Sequence, residues 1–176
     1  PIDSNLQTIG EGAFDNSNIE SIYIPSKVKR IEYSAFSNTF CLKEVTFAEN
    51  SQLETICKFA FSQSSIESII IPASVKSICY NAFYECHNLK EVLFQDNSEL
   101  KTIDDCVFKN TSIKEMIIPS NITHIGEKAF AYNNSLEKIV IPSSVVEIKK
   151  GWIYSTPKLS KIEIMPNNKR YLSLRN

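Results

Sequence analysis

The sequence predicts a right-handed solenoid of seven coils, with one parallel sheet of about seven strands and one strand in each 22–25-residue coil. Two recurring patterns and an unusual turn composition predict it. The first pattern, Ile-x-x-x-Ala-Phe, occurs as Ile9…Ala13-Phe14, Ile31…Ala35-Phe36, Ile56…Ala60-Phe61, Ile78…Ala82-Phe83 and Ile125…Ala129-Phe130. Ile103…Val107-Phe108 and Ile148…Trp152-Ile153 are degenerate copies, and the start-to-start spacings are 22, 25, 22, 25, 22 and 23. The second pattern, apolar-x-x-apolar-x-apolar, runs between them from Ile19…Ile22…Ile24 to Leu159…Ile162…Ile164. Self-similarity at a fixed period over the whole chain is the signature of a stacked-repeat architecture. The core-type residue is overwhelmingly Ile, Asn and Ser are abundant, and only 4 Gly occur among 176 residues. That mixture favours many short strands joined by polar turns.

Each element follows from the repeat. The second pattern is a strand whose first, fourth and sixth residues face inward and whose second, third and fifth face out. Pro25, Pro72, Pro119 and Pro142 follow the strand directly, where the missing N–H ends the ladder. After other strands the link is two residues longer, as in Ala48-Glu49-Asn50-Ser51-Gln52-Leu53, which makes the true repeat a pair of about 47 residues. This alternation fails at the end, where short links follow both Pro119 and Pro142. The Ala-Phe segments are expected as short helical or 3-10 turns on the opposite wall. Stacked coils bury both walls in one core, which a single coil cannot do. Phe14, Phe36, Phe61, Phe83, Phe108 and Phe130 are expected to form an aromatic spine ending in Ile153. Seven coils about 4.8 Å apart make a rod of roughly 30–35 Å.

Composition narrows the function. Lys+Arg number 19 against 20 Asp+Glu, a balance of −1, which does not suit a protein that grips nucleic acid through its phosphates. The longest aliphatic run is Ile69-Ile70-Ile71, so no segment inserts into a membrane. Pro1-Ile2-Asp3-Ser4-Asn5 shows no basic and then apolar stretch of a signal peptide. No Gly-rich phosphate loop and no catalytic constellation is present, so the sequence implies no enzyme, no catalytic residue and no cofactor. Cys79, Cys86 and His87 lack the paired spacing of a zinc site, and no metal is expected.

The consensus L-x-x-[IV]-x-[IF]-P-x-x-V-x-x-I-x-x-x-A-F resembles the leucine-rich repeats of BspA-like surface proteins of the Treponema pallidum type, along essentially the whole chain. Ordinary leucine-rich repeats carry Asn or Cys shortly after the strand, where this chain carries Pro or Phe-x-x-x-Ser. The long link Phe47-Ala48-Glu49-Asn50-Ser51-Gln52-Leu53-Glu54-Thr55-Ile56 is similar to copies from parasitic protists such as Trichomonas. The resemblance implies a leucine-rich-repeat solenoid and a cell-surface or secreted protein involved in adhesion and host-protein binding. It supplies no catalytic residue.

The outward strand positions are the candidate site. The fifth-position column reads Tyr23, Thr46, Ile70, Leu93, Ile117, Val140 and Glu163. Four adjacent aliphatic rungs on an outer face mark an interaction site, although β-branched residues also suit any parallel sheet. A binding face here would centre on Ile70, Leu93, Ile117 and Val140. Tyr23 and mixed charges (Glu20, Lys43, Glu67, Lys90, Lys114 and Glu137) form its rim. The same charges serve a soluble, edge-protected surface equally well. Cys57 and Cys79 occupy one column in adjacent coils, a separation within disulfide reach, while an odd count of 5 Cys at irregular spacing argues against a disulfide framework. Three Asn-x-Ser/Thr sequons begin at Asn110, Asn121 and Asn133.

The chain opens inside a link, since Pro1 aligns with Ala48, and its pattern decays into a degenerate tail or cap over 165–176. It therefore reads as one leucine-rich-repeat domain over 1–176, cut from a longer array. The leading expectation is a non-enzymatic adhesin segment that binds a host or neighbouring-cell protein, such as a matrix protein, through the sheet face. Two alternatives stay open: a structural spacer or self-associating array, and an intracellular (cytoplasmic) interaction scaffold.

Overall fold

A computed structural model describes residues 4–168. Each coil contributes two strands. They are β1 (Thr8–Ile9) and β2 (Ser21–Ile24), β3 (Arg30–Ile31) and β4 (Glu44–Phe47), β5 (Thr55–Ile56) and β6 (Ser68–Ile71), and β7 (Ser77–Ile78) and β8 (Glu91–Phe94). The last three coils hold β9 (Thr102–Ile103) and β10 (Glu115–Ile117), β11 (His124–Ile125) and β12 (Lys138–Ile141), and β13 (Glu147–Ile148) and β14 (Lys161–Ile164). The expected tail beyond residue 168 lies outside the described residues.

The seven-stranded parallel sheet is present, but the two-residue strands carry it, in the order β1-β3-β5-β7-β9-β11-β13. Its register aligns the repeat isoleucines, for example Ile31↔Ile56, Ile56↔Ile78 and Ile125↔Ile148. The longer strands, of three or four residues, on which the sheet is expected, form a second wall instead. That wall is split into β2-β4, β6-β8 and β10-β12-β14. We call it the strand wall.

No helix forms among the described residues; the expected helical or 3-10 segments are runs of single turns, closed by bonds such as Ala35 N–H to Glu32 O (3.2 Å) and Ser37 N–H to Ser34 O (3.1 Å). The reason lies in the hydrogen bonds. Alternate turn N–H groups look to the next coil: Phe36 N–H donates to Ala60 O (2.7 Å), Phe61 to Ala82 O (2.8 Å) and Phe108 to Ala129 O (2.9 Å). Donors committed between coils cannot close a helical ladder within one. Two residues per coil enter the left-handed region instead. One set is Gly12, Ser34, Phe59, Asn81, Cys106, Lys128 and Gly151; the other is Asn16, Asn38, Gln63, Glu85, Asn110, Tyr132 and Ser155. Asn and Gly enter this region readily. Phe59, with φ 60°, does not, and its ring is held edge-on between Tyr33 (5.7 Å) and Tyr80 (5.6 Å).

The core is a single column. Phe14, Phe36, Phe61, Phe83, Phe108 and Phe130 stack with centroids 5.0–5.6 Å apart and nearly parallel rings. Ile153 takes the spine position in the last coil and packs against the core, together with Trp152. The ring stack itself closes on Trp152, standing where most other coils have Ala, which lies edge-on to Phe130 at 6.3 Å. Ile24, Ile31, Leu42, Ile56, Ile66 and Ile69 pack around the spine, fully buried.

A polar column runs three residues after each spine position and ties the turn carbonyls. Thr39 Oγ1 donates to Phe36 O (2.8 Å), Cys86 Sγ to Phe61 O (2.9 Å) and Thr156 Oγ1 to Ile153 O (2.9 Å). Asn133 is its most connected member. Its amide donates to Phe108 O (2.8 Å) and Phe130 O (2.7 Å), and its oxygen accepts from Thr111 N–H (3.0 Å) and the Thr111 hydroxyl. Asn133→Ala strands these groups in the core, so urea unfolding should show a loss of about 2–4 kcal/mol. A loss under 0.5 kcal/mol would mean that water satisfies them.

Candidate binding face

The strand wall presents the expected alternation except in β14, the last of the described coils, where Ile162 is exposed. Ile24, Val45, Ile69, Ile71, Val92, Met116, Ile139 and Ile141 are buried, and their neighbours point out. In the outward column Tyr23 is 44% exposed, Ile70 52%, Leu93 45% and Ile117 61%. Thr46 is exposed as well, whereas Val140 is half-buried. Val140 lies between Ile117 and Glu163 in an unbroken ladder, and Lys138 on the same strand reaches Glu115 (2.9 Å) and Glu163 (3.4 Å). These ion pairs cover that end of the stripe. The exposed apolar centre is therefore Ile70, Leu93 and Ile117, on three successive coils.

Glu20, Lys43, Glu67, Lys90, Lys114 and Glu137 are all exposed beside the stripe. Lys90 pairs with Glu67 at 3.4 Å. Such solvent-facing pairs contribute little to stability, so these charges are available to set the orientation of a partner. The breaks in the strand wall open two shallow clefts on this face. One, of about 390 Å³, lies between β8 and β10 and is lined by Leu93, Phe94 and Ile117. The other, of about 290 Å³, lies between β4 and β6 and is lined by Thr46, Phe47 and Ile70.

Cys57 and Cys79 lie away from this face, beside the two-residue strands. Cys57 and Cys79 do sit in adjacent rungs, after the paired Ile56 and Ile78, and both are free thiols in the structure. Cys57 is buried, donates to Glu32 (3.3 Å) and accepts from Arg30 (3.2 Å). Burial pushes its thiol up to about 12 and raises that of Cys79 too. Both are thus poor in the reactive thiolate at neutral pH. Cys86 is wholly buried against Phe61 O and Ser64, and no group of metal-ligating side chains occurs among the described residues. The sequon at Asn133 is also closed to modification in the folded chain, because its side chain is the buried tie described above. Asn121 is exposed.

The sequence reading passed over a second set of surface rings, on the turn wall. Tyr33, Phe59 and Tyr80 form an edge-to-face row, and Lys109 lies 5.3 Å from the rings of both Tyr84 and Tyr132. Tyr33 and Tyr80 stand two residues after the repeat Ile, but Phe59 stands three after Ile56, with Lys58 in their column, so no single sequence column shows the row.

Two walls of short parallel strands around a phenylalanine spine define the class: a leucine-rich-repeat solenoid. The chain belongs to the BspA type leucine rich repeat region family, which matches residues 1–69 and 54–173 in 6 copies. Proteins of this class are generally non-enzymatic and interact with other proteins. Several solved structures are similar to it. The pneumococcal vaccine antigen PcpA is 21% identical over 93% of this chain and 57% of its own, with a TM-score of 0.69. A leucine rich cell surface protein from Faecalibacterium prausnitzii is 28% identical over 97% of this chain and 54% of its own, with a TM-score of 0.66. The Treponema pallidum leucine-rich-repeat protein is 21% identical over 84% of this chain and 70% of its own, with a TM-score of 0.77. The chain thus spans a little over half the length of the first two. No curated protein sequence matches it significantly. Among the described residues no helix is long and apolar enough to cross a membrane.

Proposed function

We propose that the chain is a protein-binding segment of a surface or secreted adhesin, which engages a host or neighbouring-cell protein through the strand wall. The observation that carries this reading is the exposed stripe of Ile70, Leu93 and Ile117, at 45–61% exposure, flanked by unburied charge. Apolar side chains in contiguous rungs gain from being covered, and a charged rim around an apolar centre is the anatomy of a protein interface. The surface location of the Faecalibacterium relative and the antigenic character of the pneumococcal one support the cellular setting. The Phe-x-x-x-Ser links favour the protist version of the repeat as the relevant comparison. Five free cysteines favour a second reading, an intracellular scaffold using the same face.

The test is binding of labelled protein to epithelial cells and to immobilised matrix proteins, wild type against Ile117→Lys. Ile117 is largely exposed, so circular dichroism and melting should not change. Saturable binding should fall tenfold or more, as for the centre of an interface. Unchanged binding would move the site off the stripe. An absence of binding to every surface would remove the adhesin reading and leave a scaffold or spacer.

A further inference from the structure

The strand wall breaks at two places, 47 residues apart, for the same local reason. At the end of a strand the next residue normally donates back to the coil before it: Ala48 N–H to Ile24 O (3.1 Å), Gln95 N–H to Ile71 O (3.0 Å) and Met165 N–H to Ile141 O (2.9 Å). Pro72 and Pro119 hold that place opposite Phe47 and Phe94 and have no N–H to give. Both breaks also follow a long link. Across each, single bonds near the strand starts remain: Glu67 N–H to Lys43 O and Lys114 N–H to Lys90 O, both 3.3 Å. Short links on either side let β10, β12 and β14 pair continuously.

The two clefts are consequently copies of one another. Glu44, Phe47 and Ile70 in one correspond to Glu91, Phe94 and Ile117 in the other. Each has a half-buried phenylalanine floor, an exposed isoleucine lip and a Phe carbonyl that receives no proline N–H. Acidic groups line them, Glu44 in the first and Glu91, Asp96 and Glu115 in the second, and no Lys, Arg or His lines either. Glu115 is paired with Lys138. Glu44, Glu91 and Asp96 form no ion pair among the described residues. Two rungs separate the clefts, a distance of about 10 Å.

We propose that the twin clefts take two arginine side chains, three residues apart, from one extended segment of the protein partner lying along the solenoid axis. The inference rests on the strand-wall reading above and names the partner's chemistry. A carboxylate with no cation, an aromatic floor, an aliphatic lip and an acceptor carbonyl together match guanidinium. Its plane stacks on a ring, its fork pairs with carboxylate, and its stem covers apolar surface. A polyproline II segment turns once every three residues and rises about 3.1 Å per residue. It therefore sets positions i and i+3 on one face, about 9 Å apart, close to the cleft spacing. A β-strand puts same-face side chains about 7 or 13 Å apart and matches less well.

The experiment is fluorescence anisotropy of a labelled peptide of four Arg-Pro-Pro triplets with the whole chain. The controls are a peptide of the same composition with its arginines contiguous, and one with Glu in place of Arg. The triplet peptide should bind saturably and lose affinity as salt rises. It should bind at least tenfold more tightly than either control, and weaken at least tenfold against Glu44→Lys/Glu91→Lys, a variant whose melting should match wild type. Equal binding of the contiguous peptide would reduce the effect to general charge attraction and overturn the spacing. Binding that survives the double substitution would overturn the site. No peptide binding, with Ile117→Lys still abolishing surface binding, would overturn this inference and leave the strand-wall reading intact; loss of both effects would remove both.

Discussion

Gly126→Ala should be among the most damaging single-methyl changes in the chain, and Gly10→Ala, in the same column of the repeat, should be neutral. A Cβ on Gly126 would lie 2.4 Å from Asp104 C and Asp105 N and 2.6 Å from Asp104 O. These are backbone atoms of the preceding coil, so no side-chain rotation relieves the clash. The two coils must separate there, weakening the bond from Gly126 N–H to Ile103 O (2.8 Å) and the adjoining pairs Thr102↔His124 and Ile103↔Ile125. The expected loss is about 3 kcal/mol or more, at the upper end for overpacking. Nothing lies within 4 Å of a Cβ on Gly10, and its substitution should stay within about 0.5 kcal/mol. Parallel urea denaturation of both variants checks the pair, and equal effects would contradict the close approach at Gly126. The other column members (Glu32, Cys57, Cys79, Asp104 and Lys149) all carry a side chain. The column therefore gave no sign that one of its two glycines is obligatory.

Phe83→Ala should cost about 3–5 kcal/mol, since it removes a fully buried ring from the middle of the stack and leaves a cavity. Phe83 lies 5.3 Å from Phe61 and 5.4 Å from Phe108, with nearly parallel rings. The cavity thus sits between two aromatic neighbours that the backbone ladders hold in place and that cannot close over it. In a solenoid each coil is supported only by its neighbours. The damage should therefore divide the chain, with hydrogen exchange rising first in β7 and β8 and in the coils on either side. Uniform acceleration over all seven coils would mean that the chain unfolds as one unit. A loss under 1 kcal/mol would contradict the spine as the main apolar support.

The repeat made most of this legible. Period and phase placed the inward isoleucines, the phenylalanine spine and the outward column, because one coil's pattern, repeated, fixes what faces what. Three features needed coordinates. Two-residue strands such as Thr55–Ile56 are too short to show alternation, so the unbroken sheet went to the longer strands. Every second turn N–H bonds to the next coil, and no local pattern in Ile-x-x-x-Ala-Phe announces that a helical ladder will not close. The splitting of the strand wall depends jointly on Pro72 or Pro119 and on the long link before it. Each was visible alone in the sequence, but their combined effect is geometric. Pro142 shows why: with short links around it, Ile118 N–H still reaches Val140 O at 3.1 Å.

The central claim is that recognition belongs to the strand wall and not to the turn wall, where Tyr33, Phe59 and Tyr80 offer a rival apolar row. Two exposed side chains separate the walls: Ile70, 52% exposed, and Tyr80, 41% exposed. The measurement is saturation binding of Ile70→Lys and Tyr80→Lys to the same cells and matrix proteins, with both variants shown to melt as wild type. At least a tenfold loss is expected for Ile70→Lys and no change for Tyr80→Lys. The reverse pattern would contradict it and place the binding site on the turns.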